Sequence, residues 1–188
     1  MIRVFGISGS LRKGSYNTAL LRAAKELAPE GMQIEIYEGL GAIPPYNEDV
    51  REQGWPEPVR ELRERIAAAD ALLVVTPEYN YSIPGVLKNA IDWASRPPNP
   101  PMAGKPAAIM GASGGNFGTA RAQLHLRQIF TFLDVHPVNK PEVLVIRAQE
   151  KFDAEGRLVD EVTQQFVVDL LHALKEWTLR LKSEVAFS

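Results

Sequence analysis

Five times along this chain a short apolar run is followed by a segment of helical periodicity, and no other feature restricts the fold so tightly. Strands that alternate with helices pair in parallel through right-handed crossovers, which covers both faces of the sheet. The runs read Ile2 to Ser8, Met32 to Tyr37, Asp70 to Thr76, Lys105 to Gly111 and Val143 to Ile146. Most are apolar without alternation, the pattern of strands buried on both faces. The sequence therefore predicts an α/β fold, a doubly wound five-stranded parallel sheet with helices on both faces. Ordered 2-1-3-4-5, such a sheet brings the loops after its first, third and fourth strands to one rim beyond the carboxyl ends.

The helices follow from spacing. Leu20, Leu21, Ala24 and Leu27 mark the first, with Asn17 or Ser15 as its cap and Pro29-Glu30-Gly31 as its stop. Val59, Leu62 and Ile66 mark the next, a third starts with Pro84 at its first position, and a fourth carries Ala122, Leu126, Ile129, Phe130 and Leu133. Val162, Phe166, Leu170, Leu174 and Leu181 read as one stripe of a last helix, with Trp177 beside it and a fraying tail behind. Gly39 to Pro58 is too long for a mere connector and is expected to be functional or mobile. Trp55 within it is either a lid over the rim or an anchor into the core.

Residues 1–188 are the length of one domain with a continuous core. The balance of 21 basic and 23 acidic side chains, net charge −2, lacks the basic excess of a nucleic-acid binder. There is no cysteine, so thiolate nucleophiles and disulfides are excluded. His125, His136 and His172 stand at no metal-ligand spacing. The start of the chain lacks a signal-peptide layout and no apolar run has the length of a membrane helix, so a cytoplasmic protein with no membrane partner is expected.

Three loops carry the chemistry. In the first, Gly6 to Asn17, three glycines would let the backbone approach an anion. Ser8, Ser10 and Ser15 offer hydroxyls, Arg12 a planar fork of donors, and the helix start unpaired N–H groups, which together suit a phosphate monoester. The loop is neither a Gly-x-Gly-x-x-Gly fingerprint nor a Walker sequence. The second, Thr76 to Gly85, suits a planar aromatic ligand, with Tyr79 against a ring and the N–H groups of Glu78 to Asn80 on its heteroatoms. Its alternative is a Pro-bounded turn whose tyrosines close the core. The third loop is Ala112 to Asn116.

Gly-Ser-Leu-Arg-Lys-Gly-Ser-Tyr-Asn at the first loop, Pro-Glu-Tyr-Asn-Tyr-Ser-Ile-Pro-Gly-Val-Leu-Lys-Asn-Ala-Ile-Asp-Trp at the second and Ser-Gly-Gly at the third resemble the NADPH-dependent FMN reductase family, whose fold is flavodoxin-like. The resemblance implies FMN as cofactor, NADPH or NADH as donor, and a small-molecule acceptor such as a quinone, flavin or azo compound. By the same resemblance Ser10, Arg12, Ser15, Asn17 and Thr18 match the phosphate site. Pro77, Glu78, Tyr79 and Asn80 match one side of the isoalloxazine, and Ser113, Gly114 and Gly115 the other. Backbone N–H groups of Ser113 to Asn116 would favour the reduced flavin, and Glu78 is expected to serve through its backbone, with a replaceable side chain. Arg51, Lys13 and Arg96 remain open as partners of a nucleotide's extra phosphate. Relatives are commonly dimers or tetramers, which implies an interface near Pro84 to Trp93 with Lys88 and Asp92 paired across it; the alternative is an i,i+4 pair on one helix. Two other readings stand beside the enzyme: a flavodoxin-type electron carrier and a non-redox phosphate or nucleotide module.

Overall fold

The computed structural model describes residues 1–185; residues 186–188 of the tail expected to fray lie outside them. The chain runs β1 (Ile2–Ser8), α1 (Tyr16–Glu26), β2 (Met32–Tyr37), α2 (Glu48–Gln53), α3 (Glu57–Ala68), β3 (Ala71–Val75) and α4 (Gly85–Ala94). It continues with β4 (Pro106–Ala112), α5 (Ala120–Phe132), β5 (His136–Pro137), β6 (Val143–Val145) and α6 (Glu161–Val185). The order β2-β1-β3-β4-β5 is the expected one, and every pairing is parallel.

Because neighbouring strand residues point to opposite faces, each apolar run feeds two cores. Ala71, Leu73 and Val75 of β3 pack beneath α1 and α6, with Leu20, Leu21, Leu170, Leu171 and Leu174. Leu72 and Val74 pack beneath α3, α4 and α5, with Leu62, Leu87, Trp93, Leu126 and Phe130. Burial of each such Leu contributes about 1.5–3 kcal/mol. An absence of alternation in the sequence is thus the signature of a sheet with two covered faces.

Several expectations are corrected. The fifth strand position is filled by two pieces: β5 pairs with Pro106 and Ala107, and β6 with Met110 to Ala112 of the same edge of β4. Pro137 and Pro141 have no N–H to donate, so one continuous ladder across this position is not available. In α6 the buried face holds Val167, Leu170, Leu171, Leu174 and Thr178, whereas Val162 and Phe166 are exposed. Residues that recur only at i+4 precess by about 40° per step, so a stripe drawn by that step alone turns out of the core within three steps. Pro84 caps α4 from the position before its first residue.

The segment from Gly39 to Pro58 is neither bare loop nor a lid. It contains a 3₁₀ turn, Gly39–Ala42, and α2, capped by the Asn47 side chain. Asn89 of α4 binds it through Tyr46 N–H (2.7 Å) and Pro44 C=O (2.8 Å), and Trp93 Nε1 donates to the same carbonyl. Trp55 lies 6.1 Å from Trp93 and beneath the Arg63 guanidinium, so it anchors this segment to the core. Leu87, Ala90, Ile91 and Trp93 are buried in this chain's own core, which removes them from a subunit interface. Lys88 and Asp92 pair with each other on α4, Nζ to Oδ1 at 2.6 Å.

Entry into α6 is fixed by Asp160. Its Oδ2 accepts from Thr163 N–H at 2.9 Å and Thr163 Oγ1 at 2.6 Å, and its Oδ1 from Lys151 Nζ at 2.7 Å. Lys151 first, then Thr163, hold the carboxyl down at about 2. A group depressed on folding stabilises above its ordinary value near 4, and that contribution disappears as pH falls toward 2. Asp160→Ala, which removes a helix cap, should cost about 1 kcal/mol and lower Tm by about 2–4 °C at neutral pH. In thermal melts the gap to the parent should close between pH 4 and pH 2.

Candidate functional site

The loops after β1, β3 and β4 meet at the carboxyl rim around a cleft of about 240 Å³. Ser10, Arg12, Ser15 and Asn17 line it from the first loop, Pro77 to Tyr79 from the second, and Ser113 and Gly114 from the third. Thr18, Asn80 and Gly115 are not part of this lining, and Asn80 and Gly115 are exposed. Thr18 is half-buried, its Oγ1 3.0 Å from Ser8 Oγ.

In the first loop Ser15 is the cap of α1, its hydroxyl oxygen accepting from Asn17 and Thr18 N–H. Ser10 Oγ accepts from Arg12 N–H at 3.3 Å. Both hydroxyls therefore spend lone pairs on the backbone and keep their protons for a ligand. Arg12 is exposed, forms no ion pair among the described residues and lies 5.7 Å above the Tyr16 ring. The first turn of α1 carries no acidic residue, so its positive end is left for an anion. Of the three glycines expected to approach that anion, Gly14 is exposed beside Arg12. A side chain at Gly6 would strike Leu21, and one at Gly9 would crowd Leu87 and Pro77.

Asn17 does structural work at the centre of the rim. It is buried, and its amide makes two bonds to Ala112 at the end of β4: Nδ2 donates to the carbonyl and Oδ1 accepts from the N–H, each at 2.9 Å. The first and third loops are joined through it. In the third loop Ser113 N–H donates to Val145 C=O, and Gly115 N–H to Ser113 Oγ. Among the described residues only the amides of Gly114 and Asn116 are without a partner, two of the four expected to face a ligand.

The second loop is a tight hairpin. Tyr79 and Ser82 exchange both backbone hydrogen bonds, at 2.9 and 3.0 Å, so the Tyr79 N–H expected to face a ring is spent. The tyrosines do not close the core: Tyr79 and Tyr81 are 50% and 65% exposed. The Glu78 side chain, expected to be replaceable, is 8% exposed and engaged by α5. It accepts from Arg121 Nε and from the N–H groups of Arg121 (3.0 Å) and Ala122 (3.2 Å), at the first turn of α5. Thr119, at the cap position of that helix, makes no side-chain cap bond. Arg121 was missed from sequence, although a signal existed: an arginine in a first turn that has no acidic residue opposes the helix dipole and requires an acid from elsewhere.

Of the basic residues left open, Arg51 pairs with Glu48 and reaches Pro97 C=O, and Arg96 binds Asp92 C=O. Both sit by the C-terminal end of α4, which begins at the rim, so they are a helix length away from the cleft. Lys13 is exposed beside it.

A parallel 2-1-3-4-5 sheet with an anion-ready loop at its switch point defines a flavodoxin-like α/β protein. The sequence matches the NADPH-dependent FMN reductase family over residues 2–150, and the chain belongs to that family of oxidoreductases. It is 61% identical over 181 residues to an NAD(P)H-dependent FMN reductase of Pseudomonas aeruginosa, covering 96% of this chain and 97% of the relative. It is 50% identical over 190 residues to an NADPH:quinone oxidoreductase of Arabidopsis thaliana, covering 98% and 95%. The solved structure of FerB, a flavoenzyme NAD(P)H:(acceptor) oxidoreductase from Paracoccus denitrificans, superposes with a TM-score of 0.87 at 36% identity, covering 96% and 98%.

Removal of the Asn17 amide leaves a buried N–H and C=O of Ala112 without partners, at about 1–3 kcal/mol each. Asn17→Ala should therefore destabilise the fold by about 2 kcal/mol or more and lower Tm by about 4–8 °C. A melt unchanged from the parent would show that water replaces the amide.

Proposed function

We propose that the rim cleft holds FMN and that the enzyme passes reducing equivalents from NADPH or NADH to a small-molecule acceptor of the quinone class. The observation that carries this reading is the first loop: the Ser10 and Ser15 hydroxyls, a guanidinium with no ion pair among the described residues, and a helix start with no acidic residue in its first turn, all within one cleft. A dianionic phosphate asks for that donor set. Ser10, Arg12, Ser15 and the α1 terminus would hold it, with Asn17 and Thr18 fixing the loop behind it. Pro77 to Asn80 would flank the ring on one side, where the amides of Glu78 and Asn80 remain free among the described residues. Ser113 to Gly115 would flank the other, with the Ser113 hydroxyl proton and the Gly114 amide as donors. FMN, when bound, supplies the hydride chemistry, so no side-chain nucleophile is needed.

The names of the relatives support the donor and the acceptor class. We propose that the enzyme is cytoplasmic, in a compartment that supplies NAD(P)H. Among the described residues no helix is long and apolar enough to cross a membrane. We assign a homodimer or homotetramer assembled through the outer face of α5, where Leu124 is 61% and Phe132 86% exposed, opposite the buried Ala122, Leu126 and Phe130.

Arg12→Ala should weaken FMN about 10–100-fold, the worth of a hydrogen bond to a charged group, while leaving riboflavin, which has no phosphate, within about 2-fold. Fluorescence titration reads both. Anaerobic addition of NADPH to the FMN-loaded protein should bleach the flavin; an unbleached spectrum would make the protein a carrier. Phe132→Ser should lower the sedimentation mass, and an unchanged mass would move the interface elsewhere.

A further inference from the structure

The hairpin at the cleft is held in a conformation its sequence resists. Both of its central residues are left-handed, Asn80 at φ 49° and Tyr81 at φ 68°. This is the geometry that two-residue hairpins need, and Asn accepts it, but a bulky aromatic does so only at a cost. Burial does not offset that cost, because the Tyr81 ring is largely exposed.

Contacts from α5 do. The Arg121 guanidinium lies 3.7 Å from the centroid of the Tyr81 ring and 4.3 Å from that of Phe117, which is also exposed. Ser82 Oγ lies 3.0 Å from His125 Nδ1, one turn further along the helix. Arg121 is itself held by the Glu78 carboxylate, which leaves the second loop to cap the first turn of α5. The circuit is closed. Glu78 fixes Arg121, Arg121 fixes Tyr81, and Tyr81 completes the turn that begins one residue after Glu78.

We propose that Glu78 and Arg121 are positioning residues that clamp the Tyr79–Ser82 turn to α5 and so set the ring half of the flavin site. Their side chains serve the ring through the turn: they aim the Glu78 and Asn80 amides and the Tyr79 ring. The inference rests on the FMN reading above, and it separates the two halves of the site. The phosphate half is built on the α1 terminus, which the clamp does not touch. Weakening the clamp therefore costs riboflavin and FMN the same factor, in contrast to Arg12.

The test uses the full chain stripped of flavin. Affinities for FMN and riboflavin are measured by fluorescence titration, and amide hydrogen exchange is followed at Tyr79 and Ser82. Arg121→Ala should weaken both flavins by about 10-fold and speed exchange at the two amides by a similar factor. Glu78→Gln, which keeps the shape of the cap, should move both readouts in the same direction by less. Tyr81→Gly in the Arg121→Ala background should restore slow exchange and most of the affinity, since glycine holds a left-handed φ unaided. Riboflavin affinity within about 2-fold of the parent, with unchanged exchange in Arg121→Ala, would overturn the clamp. A parent protein that binds neither flavin would overturn the FMN reading, while the exchange data would still report on the clamp.

Discussion

Two hydrogen bonds from one buried amide decide whether this protein has a rim cleft at all. β1 and β4 are separated by β3, so their ends lie about 10 Å apart at ordinary strand spacing. Nothing in the sheet ladder ties the loop after one to the loop after the other. Asn17 does so by pairing with both backbone groups of Ala112, as a further strand residue would. Because the site is buried, water offers a poor substitute, and the two loops are held at a fixed separation.

The polar atoms around the cleft are divided by the same logic. Serine oxygens accept from the backbone of their own loops, which stiffens the loops and leaves each hydroxyl its donor function. Several loop amides are consumed internally, and those left over sit at separate places along the rim. A site of this kind is organised before any ligand arrives, so little ordering entropy is lost on binding.

Much of this was legible in the sequence, and the rest was not for identifiable reasons. The parallel sheet and, given the flavodoxin-like order, the convergence of three loops follow from periodicity, and the placing of Ser10, Arg12 and Ser15 in one cleft from the local run of the first loop. Glu78 was misjudged because its partner is 43 residues away and no local pattern announces a cap supplied from another loop. The bond from Asn17 to Ala112 went unread for a related reason, its partner being 95 residues distant. Leu87, Ala90, Ile91 and Trp93 of α4 could be read either as core or as interface because apolar spacing cannot distinguish a face turned to the core from one turned to a second subunit. The α6 stripe held at Leu170 and Leu174 and failed at Val162 and Phe166, since successive steps of four drift around a helix.

The broken fifth position of the sheet has a consequence for how copies of this chain can meet. A long, straight outer strand presents a row of unpaired amides and carbonyls on which another chain can add itself, the first step toward fibrils. Here that border is two residues, a proline-bearing gap and three residues more. It is too short and too irregular to template a neighbour, so the six-residue β2 at the opposite side is the one regular border this sheet presents among the described residues.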